Sequence, residues 1–176
     1  MEITAHRFHY ALSVLVARTI RAEPYRCWHN AFLSIILLPE ICADGCYVEG
    51  WLVVPKETRL EIVEHGWLQL PSGKLVDPSL VLTEKPDQPA YYFAGYTLSR
   101  SQLVALAPGS TLPLVCHSTY GDDGMSHQEY RHAYTGAWQR ARELAHKHQL
   151  PESAIKEYRR TEARGMTLII ATENVL

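Results

Sequence analysis

The sequence lacks any apolar run long enough to cross a lipid bilayer. Its longest such run, Ala31 to Leu38, contains Ser34 and ends at Pro39, which is far short of the roughly 20 residues that a spanning helix needs. Residues 1–10 also lack the basic-then-apolar order and the small-residue cleavage site of a signal peptide. We therefore expect a cytoplasmic protein that does not bind a membrane.

Cysteines are few, and their spacing matches no familiar zinc site. The four cysteines form no C-x-x-C pair, and neither Cys42 with Cys46 nor Cys116 with His117 has partners at zinc-binding spacing. The nine histidines include no H-E-x-x-H frame. A chain of this length can build a core without disulfides. We expect reduced thiols and no metal.

Nucleotide-binding signatures are also absent. The chain contains neither G-x-x-x-x-G-K-[S/T] nor G-x-G-x-x-G, so it has no sequence support for a P-loop or a dinucleotide-binding cofactor site. The net charge is -2, and residues 126–165 carry 8 basic against 5 acidic side chains. That bias is too weak to favour nucleic acid as a partner, and a solvated helix face accounts for it.

The hydrophobic pattern predicts one α+β domain. The 176 residues suit a single domain, and the apolar spacing changes from helical to alternating and back. Helices, then closely spaced strands, then helices favour an antiparallel sheet over a doubly wound one. We expect a core over about 1–120 and a helical C-terminal extension over about 121–176. The predicted helices cover 4–21, 27–38, 99–107, 126–148 and 151–164, and the predicted strands cover 46–54, 62–70, 74–76, 91–96, 114–118 and 167–171.

Three residues in the first half are candidates for catalysis. Cys27 begins a predicted helix, whose N-terminus carries about half a positive charge and stabilises a thiolate. His65 lies inside an otherwise apolar strand, and Asp77 ends the next strand, just before Pro78. The turn sequence at residues 71–73 predicts a hairpin between these strands. The hairpin would bring Asp77 close to His65.

These three residue types form a familiar nucleophilic relay. A histidine takes the proton of a cysteine thiol and holds the thiolate as an ion pair. A carboxylate on the other ring nitrogen fixes the tautomer and stabilises the imidazolium, which then protonates the leaving group. The free N–H groups at a helix start suit a developing oxyanion. We therefore assign Cys27 as nucleophile, with its backbone N–H as one oxyanion donor, His65 as general base and then acid, and Asp77 as orienting carboxylate.

Each of the three residues also has a structural interpretation. A lone cysteine such as Cys27 is more often a small buried hydrophobic residue, and a lone histidine such as His65 is more often a hydrogen-bonded core residue. Asp77 before Pro78 can simply initiate a turn. The combination of all three on these predicted elements favours the catalytic interpretation.

Several neighbours are candidates for contact with substrate. Trp28 and Asn30 flank the nucleophile, and Trp67 follows the histidine; we predict substrate-binding roles for all three. For Asn30 a local structural role is the alternative. The aromatic residues in 91–96 line an acyl-binding cleft in one interpretation and belong to the core in the more common one.

Two carboxylates, Glu49 and Glu64, lie between the candidate cysteine and histidine in the sequence. Glu49 lies within a predicted strand and would tune the site if it faced Arg26 or His29, while a solvent-facing strand carboxylate is the alternative. Glu64 precedes His65, and because side chains alternate along a strand it should point to the opposite face. We therefore do not expect Glu64 to be a catalytic partner.

Four short motifs surround these residues. They are Cys27-Trp28-His29-Asn30-Ala31, Tyr47-Val48-Glu49-Gly50-Trp51, Glu64-His65-Gly66-Trp67-Leu68 and Val76-Asp77-Pro78-Ser79. Their order resembles the core of transglutaminase-like, papain-like cysteine proteins, particularly uncharacterised bacterial and phage members. The resemblance covers roughly residues 24–98. It implies a helix that carries the cysteine and packs on an antiparallel sheet that carries the histidine and the aspartate.

The resemblance implies thioester chemistry without a cofactor. Arylamine N-acetyltransferases and transglutaminases share the Cys, His, Asp order, and such proteins hydrolyse or transfer an acyl group, often at an amide. The expected substrate is a peptide or a small amide or ester. Hydrolysis and transfer both stay open, because they share one intermediate, and no sequence feature indicates an oligomeric state. The second hypothesis is a catalytically inactive papain-like binding module that recognises a peptide or protein.

Overall fold

The computed structural model of the chain describes residues 8–42, 44–84, 88–106, 127–163 and 166–172. They form an α+β structure in which helices pack on a mostly antiparallel sheet. The helices are α1 (Tyr10–Ile20), α2 (Cys27–Leu37), α3 (Pro39–Cys42), α4 (Leu80–Thr83), α5 (Arg100–Leu106) and α6 (Gln128–Lys147). The strands are β1 (Cys46–Pro55), β2 (Leu60–Gln69), β3 (Leu75–Val76), β4 (Tyr91–Ser99), β5 (Ile155–Ala163) and β6 (Met166–Thr172).

The described strands form one sheet in the order β4-β1-β2-β5-β6, and β3 also pairs with β2. β1 and β2 form a long antiparallel hairpin, in which Gly50 is opposite His65. On its other edge, β2 pairs with β5 in parallel over 60–63 and with β3 over 68–69. Among the described strands, none pairs with residues 64–67 on that edge. This leaves a gap in the sheet beside His65.

The alternation of side chains along β1 divides the core between the two faces of the sheet. Trp51 and Val53 pack with Tyr130 and other residues of α6 on one face. Val48, Leu52 and Val54 lie on the other face, with Trp67 and Tyr92. The interior of β1 is therefore buried on both sides, so an acidic residue inside it needs a hydrogen-bond donor.

Helix α2 confirms the predicted element that carries Cys27. Its buried stripe includes Trp28, Ala31 and Ile35, at helical spacing. The helix ends at Leu37, just before Pro39, which cannot continue it. At the other end, Tyr25 has a positive φ of 65°, which turns the chain sharply before the first helical residue.

The first helix begins later than predicted. The expected start at Thr4 lies outside the described residues, but Phe8 already forms a strand-like bridge with Leu75. The His9 N–H donates to the Leu75 carbonyl at 2.8 Å, and the His9 imidazole caps the helix by accepting from the Leu12 N–H. Extended backbone at Phe8 excludes a helix that runs continuously from residue 4.

The predicted helix over 151–164 is wrong, and the C-terminal extension is therefore not all helical. After a short 3-10 turn at Glu152–Ala154, the chain forms β5. Ile155 and Glu157 are buried there, whereas Lys156 and Tyr158 are half-buried, which is the period of a strand. Pairing with β2 on one side and β6 on the other outweighs the local helical signal.

The other predicted elements within the described residues agree with the structure to within a few residues. The capping box of α5 is formed, since Ser99 Oγ accepts from the Gln102 N–H and Gln102 Oε1 accepts from the Ser99 N–H. The predicted strand over 114–118 and residue 126, at which the fourth predicted helix begins, lie outside the described residues. No helix in the described ranges is long and apolar enough to cross a membrane.

Candidate active site

The β2–β3 hairpin brings Asp77 to His65, as the turn sequence predicts. The Leu70 N–H donates to the Lys74 carbonyl, and Gly73, with φ 74°, closes the turn. Val76 pairs with Leu68, so Asp77 follows directly where β3 ends. His65 Nε2 and Asp77 Oδ2 are 2.6 Å apart. The distance is that of a short charge-assisted hydrogen bond.

The Asp77 carboxylate is fixed by several donors. Its Oδ1 accepts from the backbone N–H groups of Ser79 and Leu80 at 3.0 and 2.9 Å, and its Oδ2 accepts from the Tyr92 hydroxyl at 3.0 Å. The Asp77 N–H donates to Ser13 Oγ in α1. A carboxylate held in this way cannot rotate freely, so it fixes the orientation of the imidazole it contacts.

Helix α2 places Cys27 at the gap in the sheet because Gly66 has no side chain. A Cβ atom at Gly66 would lie 2.7 Å from Trp28 Cδ1, 3.0 Å from Trp28 Cα and 3.2 Å from Trp28 N. The first turn of α2 therefore lies directly against the β2 backbone, one residue from His65. No side-chain hydrogen bond from Arg26 caps this turn, so its N–H groups keep the positive end of the helix available.

The Cys27 thiol and the Asp77 carboxylate act on His65 together. His65 is 3% exposed, and Cys27 and Asp77 are 0% exposed. Burial by itself lowers the pKa of His65, but the charge and the hydrogen bond of Asp77, together with the charge of Cys27, outweigh it and raise the pKa to about 10. Nδ1 has no hydrogen-bond partner, sulfur included, among the described residues. Since Asp77 engages Nε2, Nδ1 is the ring nitrogen that remains for Cys27, without a formed hydrogen bond between them.

The same charges shift the pKa values of Asp77 and Tyr92. Burial would raise the pKa of Asp77, but the charge and the hydrogen bond of His65 lower it below its ordinary value. Burial and the neighbouring Asp77 carboxylate raise the pKa of Tyr92 well above 10, so the phenol stays a hydrogen-bond donor. The site therefore holds an imidazolium against the Asp77 carboxylate, with the charge of Cys27 acting on the same ring.

This arrangement predicts that His65 stays protonated in mildly alkaline solution. An ordinary histidine with a pKa of about 6.5 is neutral at pH 8, whereas the raised pKa keeps His65 charged until the pH rises through about 10. Its contribution to stability is complete below pH ~6.5 and is lost as the pH rises through about 10. The Asp77 contribution is present above pH ~4 and is lost as the pH falls through the lowered pKa.

Nitrogen NMR of the folded protein at pH 8 should report both His65 ring nitrogens as protonated. The variant Asp77→Asn should shift the His65 titration toward the ordinary histidine range. A neutral His65 in the wild-type protein at pH 8 would contradict the described electrostatics.

The residues predicted to bind substrate make contacts within the protein. Asn30 Nδ2 donates to the Glu23 carbonyl at 2.7 Å and to Ser79 Oγ at 2.8 Å, and its Oδ1 accepts from the Glu23 N–H. Its amide thus joins the segment before Cys27 to the loop after Asp77. This is a structural role, the alternative to substrate binding for Asn30. Trp28 and Trp67 are fully buried, and the Trp67 ring stacks on His65 with centroids 6.4 Å apart.

The two carboxylates of uncertain role are both buried. Glu49 is 0% exposed and accepts from the Tyr47 hydroxyl at 2.7 Å, so it is not a solvent-facing residue. Glu64 accepts from the Tyr130 hydroxyl of α6 at 2.9 Å. It lies on the α6 face, away from Asp77, as the alternation along β2 predicts.

Sequence reasoning did not identify Tyr92 as a partner of Asp77. Four aromatic residues lie between positions 91 and 96. Only an aromatic side chain on the face of β4 toward β3 and the loop after it can contact the Asp77 carboxylate. Side chains alternate along a strand, so Tyr91 and Tyr92 point to opposite faces of the sheet. The sequence does not indicate which of the two faces Asp77. Ser13 and Ser79 likewise carry no signal of their contacts with the site.

Of the other two described cysteines, Cys42 is the less suited to react. Cys42 and Cys46 are free, as is Cys27, while Cys116 lies outside the described residues. Burial raises the pKa of Cys42 to about 11. Within the described ranges, no group of three or more His, Cys, Asp or Glu residues is arranged to hold a metal ion.

Comparison of the chain with protein families, with curated proteins and with solved structures found no match. The interpretation of the site therefore depends on its own geometry.

Proposed function

We propose that the protein is a cysteine-dependent hydrolase or acyltransferase that acts on an amide or ester through a thioester. The observation that carries this proposal is the buried 2.6 Å contact between His65 Nε2 and Asp77 Oδ2, with Cys27 acting on the same ring. The contact joins His65 to a buried carboxylate, and the charge of a cysteine at a helix N-terminus acts on the same ring. The arrangement serves to create a thiolate and to deliver a proton.

In the first half of the reaction, the Cys27 thiolate attacks the carbonyl carbon of the substrate. The carbonyl π electrons move to oxygen, and the resulting oxyanion is stabilised by the Cys27 backbone N–H at the positive end of α2. The bond to the leaving group then breaks. The His65 imidazolium donates its proton to the departing amine or alcohol, which leaves a thioester on Cys27 and a neutral His65.

In the second half, water or another nucleophile attacks the thioester carbonyl. The neutral His65 accepts the proton of that nucleophile while Asp77 stabilises the imidazolium that forms again. The C–S bond then breaks, and Cys27 leaves as a thiolate paired with His65. Water gives hydrolysis, and an amine or alcohol gives acyl transfer.

Tyr92 acts in this scheme as a positioning residue. Its hydroxyl shares Asp77 Oδ2 with His65, so it stabilises the carboxylate as an anion without touching the substrate. The raised pKa of Tyr92 keeps the hydroxyl protonated during turnover. The contribution of Tyr92 is to hold the Asp77 side chain in one rotamer.

The second candidate function is a papain-like binding module without catalysis. The observation that favours it is the complete burial of the Cys27 side chain, since a nucleophile has to meet its substrate. In that case the network of Cys27, His65 and Asp77 would be structural and would join α1, α2 and the β2–β3 hairpin. Chemical reactivity of the thiol distinguishes the two functions.

Iodoacetamide at pH 6 should alkylate Cys27 at least about 10-fold faster than the other three cysteines. An ordinary thiol, with a pKa near 8.5, is almost entirely protonated at that pH, whereas a thiolate in an ion pair reacts readily. Peptide mass mapping over time measures each site separately. Cys42 is the internal buried control and the half-buried Cys46 the more accessible one.

Thioester formation is tested with p-nitrophenyl acetate. An acetyl group on Cys27 that is removed by neutral hydroxylamine, and that is absent in Cys27→Ala, supports the enzyme. Equal slow alkylation of all four cysteines, with no acetyl adduct on Cys27, would favour the binding module.

A further inference from the structure

A cavity of about 290 Å³ lies beside β2, the strand that carries His65. Tyr25, two residues before Cys27, and Val63, two residues before His65, both line it. Residues two apart on a strand share a face, so Val63 and His65 lie on the same face of β2, although His65 and Cys27 do not line the cavity themselves. Its size is close to the lower end of the roughly 300–1,000 Å³ of small-molecule sites, which suits one side chain or a small acyl group.

Two ion pairs form the outer part of this cavity. Lys56 Nζ contacts both carboxylate oxygens of Glu84, at 2.5 and 2.6 Å. Arg59 Nε and one terminal nitrogen contact the same Glu61 oxygen, at 2.8 and 2.6 Å. All four residues line the cavity. The formal charges cancel, so the selectivity of the cavity depends on which groups remain available to a ligand.

The groups that remain available are mainly cationic donors. The side chains of Arg59 and Lys56 are 50% and 28% exposed, whereas those of Glu61 and Glu84 are 15% exposed each. A guanidinium has five N–H groups, and no other acceptor among the described residues takes those of Arg59 that Glu61 leaves. Both Glu84 oxygens are already occupied by Lys56. A ligand therefore meets N–H donors and positive charge before it meets carboxylate.

We propose that this cavity is a subsite for an anionic group of the acyl substrate, with Arg59 as the residue that selects it. The substrate class is an amide or ester that carries a carboxylate at the end remote from the scissile carbonyl. This inference rests on the proposed function, because it takes Cys27 as the reacting atom. Glu61 stands four residues from His65 on the same strand, about 13 Å along β2, so Arg59 contacts the remote end of the substrate.

The test compares electrophiles that differ only in the charge at their far end. N-chloroacetyl-aminobutanoate and N-chloroacetyl-aminohexanoate carry a carboxylate, and their primary amides carry none. At pH 7 and low salt, we expect one of the carboxylate reagents to alkylate Cys27 about 2- to 5-fold faster than its amide, the range for a half-exposed charge pair. The advantage should shrink as salt is added.

Variants of the ion pair assign the advantage to Arg59. Arg59→Gln should abolish the carboxylate preference, and Arg59→Lys should retain most of it. Arg142→Gln is the matched control, since Arg142 of α6 forms a similar exposed pair with Glu152, at 2.7 Å. The preference should persist in that control.

The outcomes separate the two proposals. If the amide reagents alkylate Cys27 no faster than Cys46, the proposed function fails and the subsite fails with it. If Cys27 is alkylated selectively but carboxylate and amide react equally, or if Arg59→Gln keeps the preference, only the subsite is overturned.

Discussion

Asp77→Asn should lower the rate at which iodoacetamide alkylates Cys27 at pH 6 by about 10²- to 10³-fold. The Asp77 carboxylate is the strongest influence that raises the pKa of His65, and asparagine removes its charge. Without that charge, burial favours the neutral imidazole, and a neutral His65 no longer pairs with the thiolate. An ordinary cysteine is roughly 0.3% thiolate at pH 6, so the loss of the ion pair sets the size of the expected decrease. The measurement is the second-order rate constant for Cys27 from peptide mapping.

The matched control is Glu64→Gln. Glu64 is also a buried carboxylate on β2 that accepts a tyrosine hydroxyl, but it lies on the opposite face from His65. The same change of charge there should leave the Cys27 rate within about 3-fold. The prediction is contradicted if Asp77→Asn reacts like the wild-type protein, or if both variants lose reactivity equally while remaining folded by circular dichroism.

The contact between His65 and Asp77 is the part of the site that the sequence predicts best. The turn at residues 71–73 defines a short hairpin, and hairpin pairing is local. The start of α2 at Cys27 is equally local, because Pro24 and Pro39 bracket the apolar stripe. Sequence signals of this kind depend on a few neighbouring residues, so they predict local structure even when the rest of the fold is unknown.

Contacts between distant parts of the chain are the part that the sequence does not predict. The segment over 151–164 begins with a proline and precedes a glycine, as a helix would, yet it adds to the edge of β2 at Leu60–Val63. No residue pattern within this segment indicates that it pairs with the edge of β2. The same is true of Ser13, which accepts from the Asp77 N–H across 64 positions of the chain.

The choice of Tyr92 over Tyr91 illustrates a third limit. A shift of one residue in the pairing of β4 with β1 would exchange the faces of the two tyrosines, and that pairing contains an irregularity between Glu49 and Gly50. In the structure, Tyr92 pairs with Leu52, on the face that carries His65. The register, rather than the residue type, determines which phenol reaches Asp77.

Gly66→Ala should separate Cys27 from His65 and destabilise the protein by about 1–3 kcal/mol, the usual cost of an added methyl group in a packed core. The new Cβ would lie 2.7 Å from Trp28 Cδ1 and 3.0 Å from Trp28 Cα, so the first turn of α2 has to move away from β2. A shift of about 1 Å at the nucleophile is enough to lose about 10²-fold in reactivity. We expect the alkylation rate of Cys27 at pH 6 to fall by that amount.

Gly95→Ala separates this local effect from a general loss of stability. A Cβ at Gly95 would lie 2.6 Å from Tyr130 Cδ2 and 3.1 Å from Tyr130 Cα, so it creates a similar clash between the sheet and α6 rather than α2. Urea denaturation should give similar losses of stability for the two variants. The alkylation rate of Cys27 should fall only in Gly66→Ala, because only there does the displaced helix carry Cys27. Equal reactivity of Cys27 in both variants would mean that the contact of α2 with Gly66 does not set the distance between Cys27 and His65.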